Sequence, residues 1–175
     1  MFAGSTWNLV SSAVLAVLLA LACASDLRTR RIPNKLVLVT AVTGLVIAVV
    51  TKPVFAGLIQ AGAGFATGLA IWFPFYAFRM LGAGDVKLFA AAATFLGARA
   101  AAEGALLTAL YGGVLSLVFM VIESGWAFTA LRVGQAVHHP ALVRESPVSK
   151  RRMPYALAIA AGVLTALWAP GLILS

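Results

Sequence analysis

The sequence predicts an all-α membrane protein, a polytopic bundle of about six transmembrane helices with both termini outside. Three observations carry that fold class. Hydrophobic residues make up 62% of the 175 residues and charged residues only 10%, against about 25% in soluble domains. The apolar residues gather into six runs, and the basic residues gather on one side of them. A chain this poor in charge cannot cover a globular surface with polar groups. One this apolar, with a mean hydropathy of +1.02, cannot stay disordered either. A spanning helix needs about 20 mainly apolar residues, so the length holds about six in one integral-membrane domain.

The first run is Trp7–Ala24. Met1 to Asn8 holds no basic residue, whereas Arg28, Arg30 and Arg31 follow the run. A cleaved signal peptide has the opposite order. Despite the small residues from Ala20 to Ser25, the run therefore reads as a retained span. Cys23, the single cysteine, cannot form an internal disulfide and reads as a small buried helix residue. The second run is Leu36–Val50 and the third Val54–Phe78. Gly57, Gly62, Gly64 and Gly68 dot the third, and Gly64 to Gly68 makes a G-x-x-x-G step that lets helices approach closely. Internal packing, dimerisation and a gap for substrate all fit that step.

The fourth run, Val86–Ala98, is short unless it extends to Ala102, with Arg99 near its end. The fifth is Ala105–Ile122 and the sixth Pro154–Leu174. Trp7, Trp72, Phe73, Tyr76, Phe78, Trp126 and Trp168 fall near the ends of runs, as an interfacial aromatic belt would.

Charge sets the orientation. With the N-terminus outside, eleven basic residues fall inside: Arg28, Arg30, Arg31, Lys35, Arg79, Lys87, Arg132, Arg144, Lys150, Arg151 and Arg152. Only Lys52 and Arg99 fall outside, as the positive-inside rule requires. The net charge of +8 thus follows from topology, and its partners are anionic membrane lipids rather than nucleic acid. The longest loop, Ser124 to Arg152, holds His138 and His139 without the further ligands that a metal site needs. No metal or cofactor is expected.

Five acids remain. Glu103 and Glu145 read as solvated loop residues, and Glu123 as a charge at a helix end. Asp26 and Asp85 differ, since each stands at the inner border of a run. Ionisable groups so placed are functional candidates, because burying charge in hydrocarbon is costly. Each also has a structural reading. Asp26 would mark where the first span meets the cytosol, and Asp85 would cap the fourth helix. Taken together, two carboxylates on one face suit a water-activating dyad, in which one takes a proton from water and the other polarises a carbonyl.

The surrounding residues are distinctive. Ser25-Asp26-Leu27-Arg28-Thr29-Arg30-Arg31-Ile32-Pro33-Asn34 resembles the first motif of the type IV prepilin peptidases. Gly82-Ala83-Gly84-Asp85-Val86-Lys87-Leu88 resembles their second, the G-x-G-D-x-K-L of membrane-embedded G-x-G-D aspartyl proteases. The resemblance implies an endopeptidase of the bacterial inner membrane that removes the leader from prepilin or pseudopilin precursors, with Asp26 and Asp85 as the catalytic pair. Larger members also methylate the new amino terminus and carry an extra cytoplasmic segment, often with paired cysteines. With one cysteine and no room for that segment, the chain is similar to the compact peptidases of the tight-adherence (Flp-type) pilus systems. No methyltransferase domain is expected.

The motif residues have physical roles. Gly82 and Gly84 would admit a substrate strand or the first aspartate closely. Lys87 would anchor the headgroup boundary, Pro33 would start the second span, and Asn34 would tie the loop through its side chain. Helix dipoles favour an ionised Asp85 at a helix N-terminus and a protonated Asp26 near a helix C-terminus. Two other function classes use similar spans: an ion-coupled transporter, whose acids lie nearer the midplane, and a non-catalytic pilus-assembly scaffold, which needs neither aspartate.

Overall fold

The computed structural model describes residues 3–124, 155–169 and 171–174. They form six helices: α1 (Ala3–Thr29), α2 (Asn34–Thr51), α3 (Val54–Ala77), α4 (Ala83–Ala93), α5 (Ala98–Ser124) and α6 (Ala156–Trp168). There is no strand among the described residues. Asn8–Thr29 within α1, all of α2 and α3, and Ala98–Ile122 within α5 are each long and apolar enough to cross a bilayer. Their outer faces carry bare large side chains such as Val50, Phe55, Ile59 and Leu110, which suits hydrocarbon and not water. The chain is a helical membrane bundle.

The fourth run differs from its sequence reading. Helix α4 begins earlier, at Ala83, and ends at Ala93. Its 11 residues rise only about 17 Å, less than a hydrocarbon core of about 30 Å. Seven of them, Val86 and Leu88 to Ala93, are buried against other helices, so α4 faces protein and need not match the lipid. Backbone can leave the helical path at that depth because its polar groups find partners. Gly97 N–H and Leu96 N–H donate to Ala93 O, Thr94 Oγ1 donates to Ala91 O, and Gln60 Nε2 reaches Phe95 O. Gly97 takes φ +79°, a left-handed conformation that favours glycine, and α5 starts at once. Arg99 therefore stands in the first turn of α5 rather than at the end of the fourth helix.

Glycines set how closely the helices pack. A Cβ on Gly64 would lie 2.1 Å from Ala93 O, and one on Gly68 would lie 3.1 Å from both Ala93 Cβ and the Phe89 ring. The G-x-x-x-G step is thus spent on the α3–α4 contact inside the bundle. A Cβ on Gly162 of α6 would lie 2.2 Å from Thr108 Oγ1 and 2.5 Å from Thr108 N on α5. Gly62, two residues from Gly64, faces open space.

Lys52, Gln60, Gly97, Arg99 and Gly171 meet at one end of the bundle around an open cavity of about 530 Å³. Glu103 belongs to this end. The expected solvated loop residue is instead buried within α5, its two carboxylate oxygens accepting Gly171 N–H and Ile173 N–H at 2.9 Å each. Arg99 also donates to Leu174 O. Glu103 fastens the C-terminal segment because its two oxygens accept from backbone N–H groups for which no helix supplies an acceptor after α6 ends. In Glu103→Gln one oxygen becomes an NH₂ that faces a donor. Residues 171–174 should then release, seen as faster proteolysis at the C-terminus and a lower unfolding temperature in detergent.

Of the aromatic residues near the ends of runs, Phe73, Tyr76, Phe78 and Trp168 are exposed. Trp72 is a correction: it is only 3% exposed, and its ring packs against Phe75, Phe89 and Tyr155. Cys23 is buried, as its sequence context suggests. Trp126, His138, His139 and Glu145 lie outside the described residues.

Candidate active site

The site is built at the end of the bundle opposite the Glu103 clasp, where α1 ends and α4 begins. Helix α1 runs through Asp26 and stops at Thr29 because Arg30 turns left-handed, at φ +52°. Arg30 N–H still donates to Asp26 O at 2.8 Å, and Ser25 Oγ donates to Arg31 O at 3.0 Å. Thr29 Oγ1 lies 2.9 Å from Ser25 O and 3.1 Å from Arg31 O. The basic stretch is folded back on the last turn of α1, so the backbone around Asp26 is fixed. Pro33 precedes α2 with φ −63°, and its carbonyl accepts Leu36 N–H and Val37 N–H. Asn34 opens α2 with an exposed side chain that makes no hydrogen bond among the described residues.

A second left-handed arginine closes α3. Arg79 has φ +61°, and Met80 and Leu81 N–H groups return to Phe75 O. A non-glycine residue in this conformation costs about 1–2 kcal/mol, so the turns at Arg30 and Arg79 are held by their surroundings. Arg79 delivers the chain to Gly82, the residue before α4, and Asp85 falls in the first turn of that helix. Asp85 is therefore not the cap. Its Oδ2 lies back over Gly82, 2.9 Å from where a Cβ would stand. A side chain at Gly82 would displace the carboxylate. Gly84 instead serves the contact between the motifs. A Cβ there would touch Ile32 at 3.5 Å, so the second motif packs on the Ile32-Pro33-Asn34 loop of the first. Neither glycine approaches Asp26 directly. Lys87 is exposed, as an anchor at the boundary would be.

Asp26 is tied to the start of α6. Asp26 is 7% exposed, and its Oδ2 accepts the N–H of Ala156, the first residue of α6, at 3.3 Å. Tyr155, the preceding residue, meets the Trp72 ring edge-on. Behind it Ala22, Cys23, Val86, Phe89, Trp72 and Ala156 belong to a single apolar core. Because the N-terminus of α6 faces Asp26, both aspartates see the positive end of a helix.

Sequence reasoning misses Tyr155 and Ala156. The available signal is slight: Pro154 marks a helix start, and a hydroxyl follows it in an otherwise apolar run. Ala156 acts through its backbone and gives no sequence signal. Among the described residues no group of His, Cys, Asp and Glu could hold a metal ion.

Paired carboxylates in an apolar setting, close to backbone donors, can activate water without a nucleophilic side chain. Comparison with known proteins bears on that chemistry. No curated protein and no solved structure matches the chain. A sequence profile of the type IV leader peptidase family matches residues 13–121, more than half of the chain and both aspartates. The chain belongs to the type IV leader peptidase family, and is a peptidase of the membrane.

Proposed function

We propose that this peptidase removes the leader from type IV, Flp-like prepilins or pseudopilins at the cytoplasmic face of the bacterial inner membrane, with Asp26 and Asp85 activating water. The observation that carries the reading is that both aspartate motifs lie within the matched family segment, with Asp26 buried at the start of α6 and Asp85 in the first turn of α4. The chemistry follows from the carboxylates. One, ionised, takes a proton from water as the water oxygen attacks the scissile carbonyl carbon. The other, protonated, gives its proton to the carbonyl oxygen. The tetrahedral intermediate then collapses, the C–N bond breaks and the new amine leaves with a proton from the dyad.

Position also supports the reading. A leader that remains in the cytosol would meet the dyad at the end of the bundle rich in basic residues, beside anionic lipid headgroups. The test is to incubate the purified protein in lipid nanodiscs with a Flp-type pilin precursor and to follow loss of the leader by mass. Failure of the folded protein to cleave any type IV precursor would sink the proposal.

Orientation gives a further prediction. Reporter fusions after Lys35 and Arg132 should report the cytoplasm, and fusions after Lys52 and at Ser175 the outside. A cytoplasmic signal after Lys52 would place the dyad on the wrong side for a cytosolic leader.

A further inference from the structure

The cavity at the end of the bundle opposite Asp26 and Asp85 gathers Lys52 and Arg99, the two basic residues that the charge count places outside. Lys52 follows α2 in extended backbone, at φ −132°, and Arg99 stands in the first turn of α5. Far apart in sequence, both line the same space of about 530 Å³, a size typical of small-molecule sites. Neutral oxygens hold the two side chains in place. Lys52 Nζ donates to Gln60 Oε1, and Gln60 Nε2 in turn reaches Phe95 O at the α4–α5 turn. Arg99 donates to Leu174 O. Glu103 is the one acid on the lining, and its two oxygens are engaged by Gly171 and Ile173 N–H. The lining therefore carries two positive charges against one negative, and most N–H donors of Lys52 and Arg99 are still available.

We propose that this cavity binds a phosphate group, with Lys52 and Arg99 as its ligands. Two cations drawn to one cavity repel each other, and a shared anion removes that cost. A guanidinium can grip phosphate through two parallel N–H bonds, and an ammonium adds a point charge. Ala98 and Ala100 line the cavity too, where the first N–H groups of α5 have no acceptor within their own helix. Depth points to a phospholipid headgroup as the source of the phosphate. The spans Asn34–Thr51 and Val54–Ala77 meet at the Lys52-Pro53 turn, and the span Ala98–Ile122 starts beside Arg99. The cavity thus stands at the border of the hydrocarbon, where headgroup phosphates lie. The adjoining outer face of α3 exposes Phe55 and Ile59, a surface for acyl chains. The site is separate from the aspartates at the other end of the bundle and does not depend on their chemistry.

The experiment titrates the full protein in detergent micelles with phosphatidylglycerol, following bound copies by native mass spectrometry, and with inorganic phosphate, followed by calorimetry. A first phosphatidylglycerol should bind about tenfold more tightly than later copies, which sample only the general surface charge. Lys52→Gln and Arg99→Gln should each weaken that first copy by about tenfold, the loss of one charge-assisted contact. Lys52→Arg keeps the charge and should retain it. Lys35→Gln removes an exposed charge from the opposite end and should leave the first copy unchanged. Inorganic phosphate should neither bind measurably alone nor displace the lipid. Phosphate that does bind, and is lost in Lys52→Gln and Arg99→Gln, would uphold the site with soluble phosphate as its ligand. Absence of a distinct first copy together with no phosphate binding overturns the proposal. So does an equal loss in Lys35→Gln, which would mean that only overall charge is being read.

Discussion

Asp26→Asn and Asp85→Asn should each abolish leader removal, by about a thousandfold or more, while the protein still folds and inserts. Asparagine keeps the shape of aspartate and an oxygen acceptor, so the Ala156 N–H retains its partner when residue 26 is changed. What asparagine lacks is a proton that it can take or give at neutral pH. General acid–base participation contributes about 10²–10⁴-fold, and two groups acting as a unit lose most of their effect when either is removed. Asp26→Ala is the poorer probe. It would leave the buried Ala156 N–H without its acceptor, at about 1–3 kcal/mol, and so mix folding with chemistry. Mass analysis of the precursor, with the amount of inserted enzyme measured in the same membranes, checks the outcome. Full processing by either asparagine variant would remove that residue from the pair.

Gly64→Ala should be the most damaging substitution of a single methyl group in α3. The new Cβ would stand 2.1 Å from Ala93 O and 2.9 Å from Ala93 C. Both are backbone atoms that cannot turn aside. Helices α3 and α4 would have to part, and α4 is buried along most of its length. Overpacking of this kind costs about 3 kcal/mol or more when backbone must move. The loss should reach activity as well, because α4 presents Asp85 in its first turn. Gly62→Ala is the matched control in the same helix. Its Cβ meets nothing within 4 Å, and alanine is the better helix former by up to about 1 kcal/mol. Thermal unfolding in detergent should therefore fall sharply for Gly64→Ala and stay level or rise for Gly62→Ala. Equal effects would mean that the α3–α4 contact is not what fixes α4.

The corrections share a cause. Hydropathy locates each helix among the described residues but misplaces the boundary between α4 and α5, because Thr94 to Gly97 is itself mostly apolar and nothing in composition marks a buried turn. Gly97 is the one local hint, and only its positive φ explains it. Glu103 reads as solvated for the related reason that a carboxylate among alanines has no evident partner. The partners are two backbone N–H groups about 70 positions later. Trp72 passes for an interfacial aromatic because its sequence neighbours are exposed, yet the α3–α4–α6 contact covers it.

The sequence by itself determined the solvent, the helices and the two aspartate motifs. Each rests on local information: apolar run length, the side on which basic residues cluster, and motif residues within ten positions of one another. Tertiary structure alone decided what surrounds those aspartates. Asp26 and Ala156 are 130 positions apart, and their bond runs to a backbone N–H that any residue but proline would supply. Likewise the room for Tyr155 comes from a missing side chain at Gly112 on a different helix. A contact made through backbone, or through an absent Cβ, leaves no chemical signature at either position, and only the packing of α5 and α6 on α1 and α4 brings it into being.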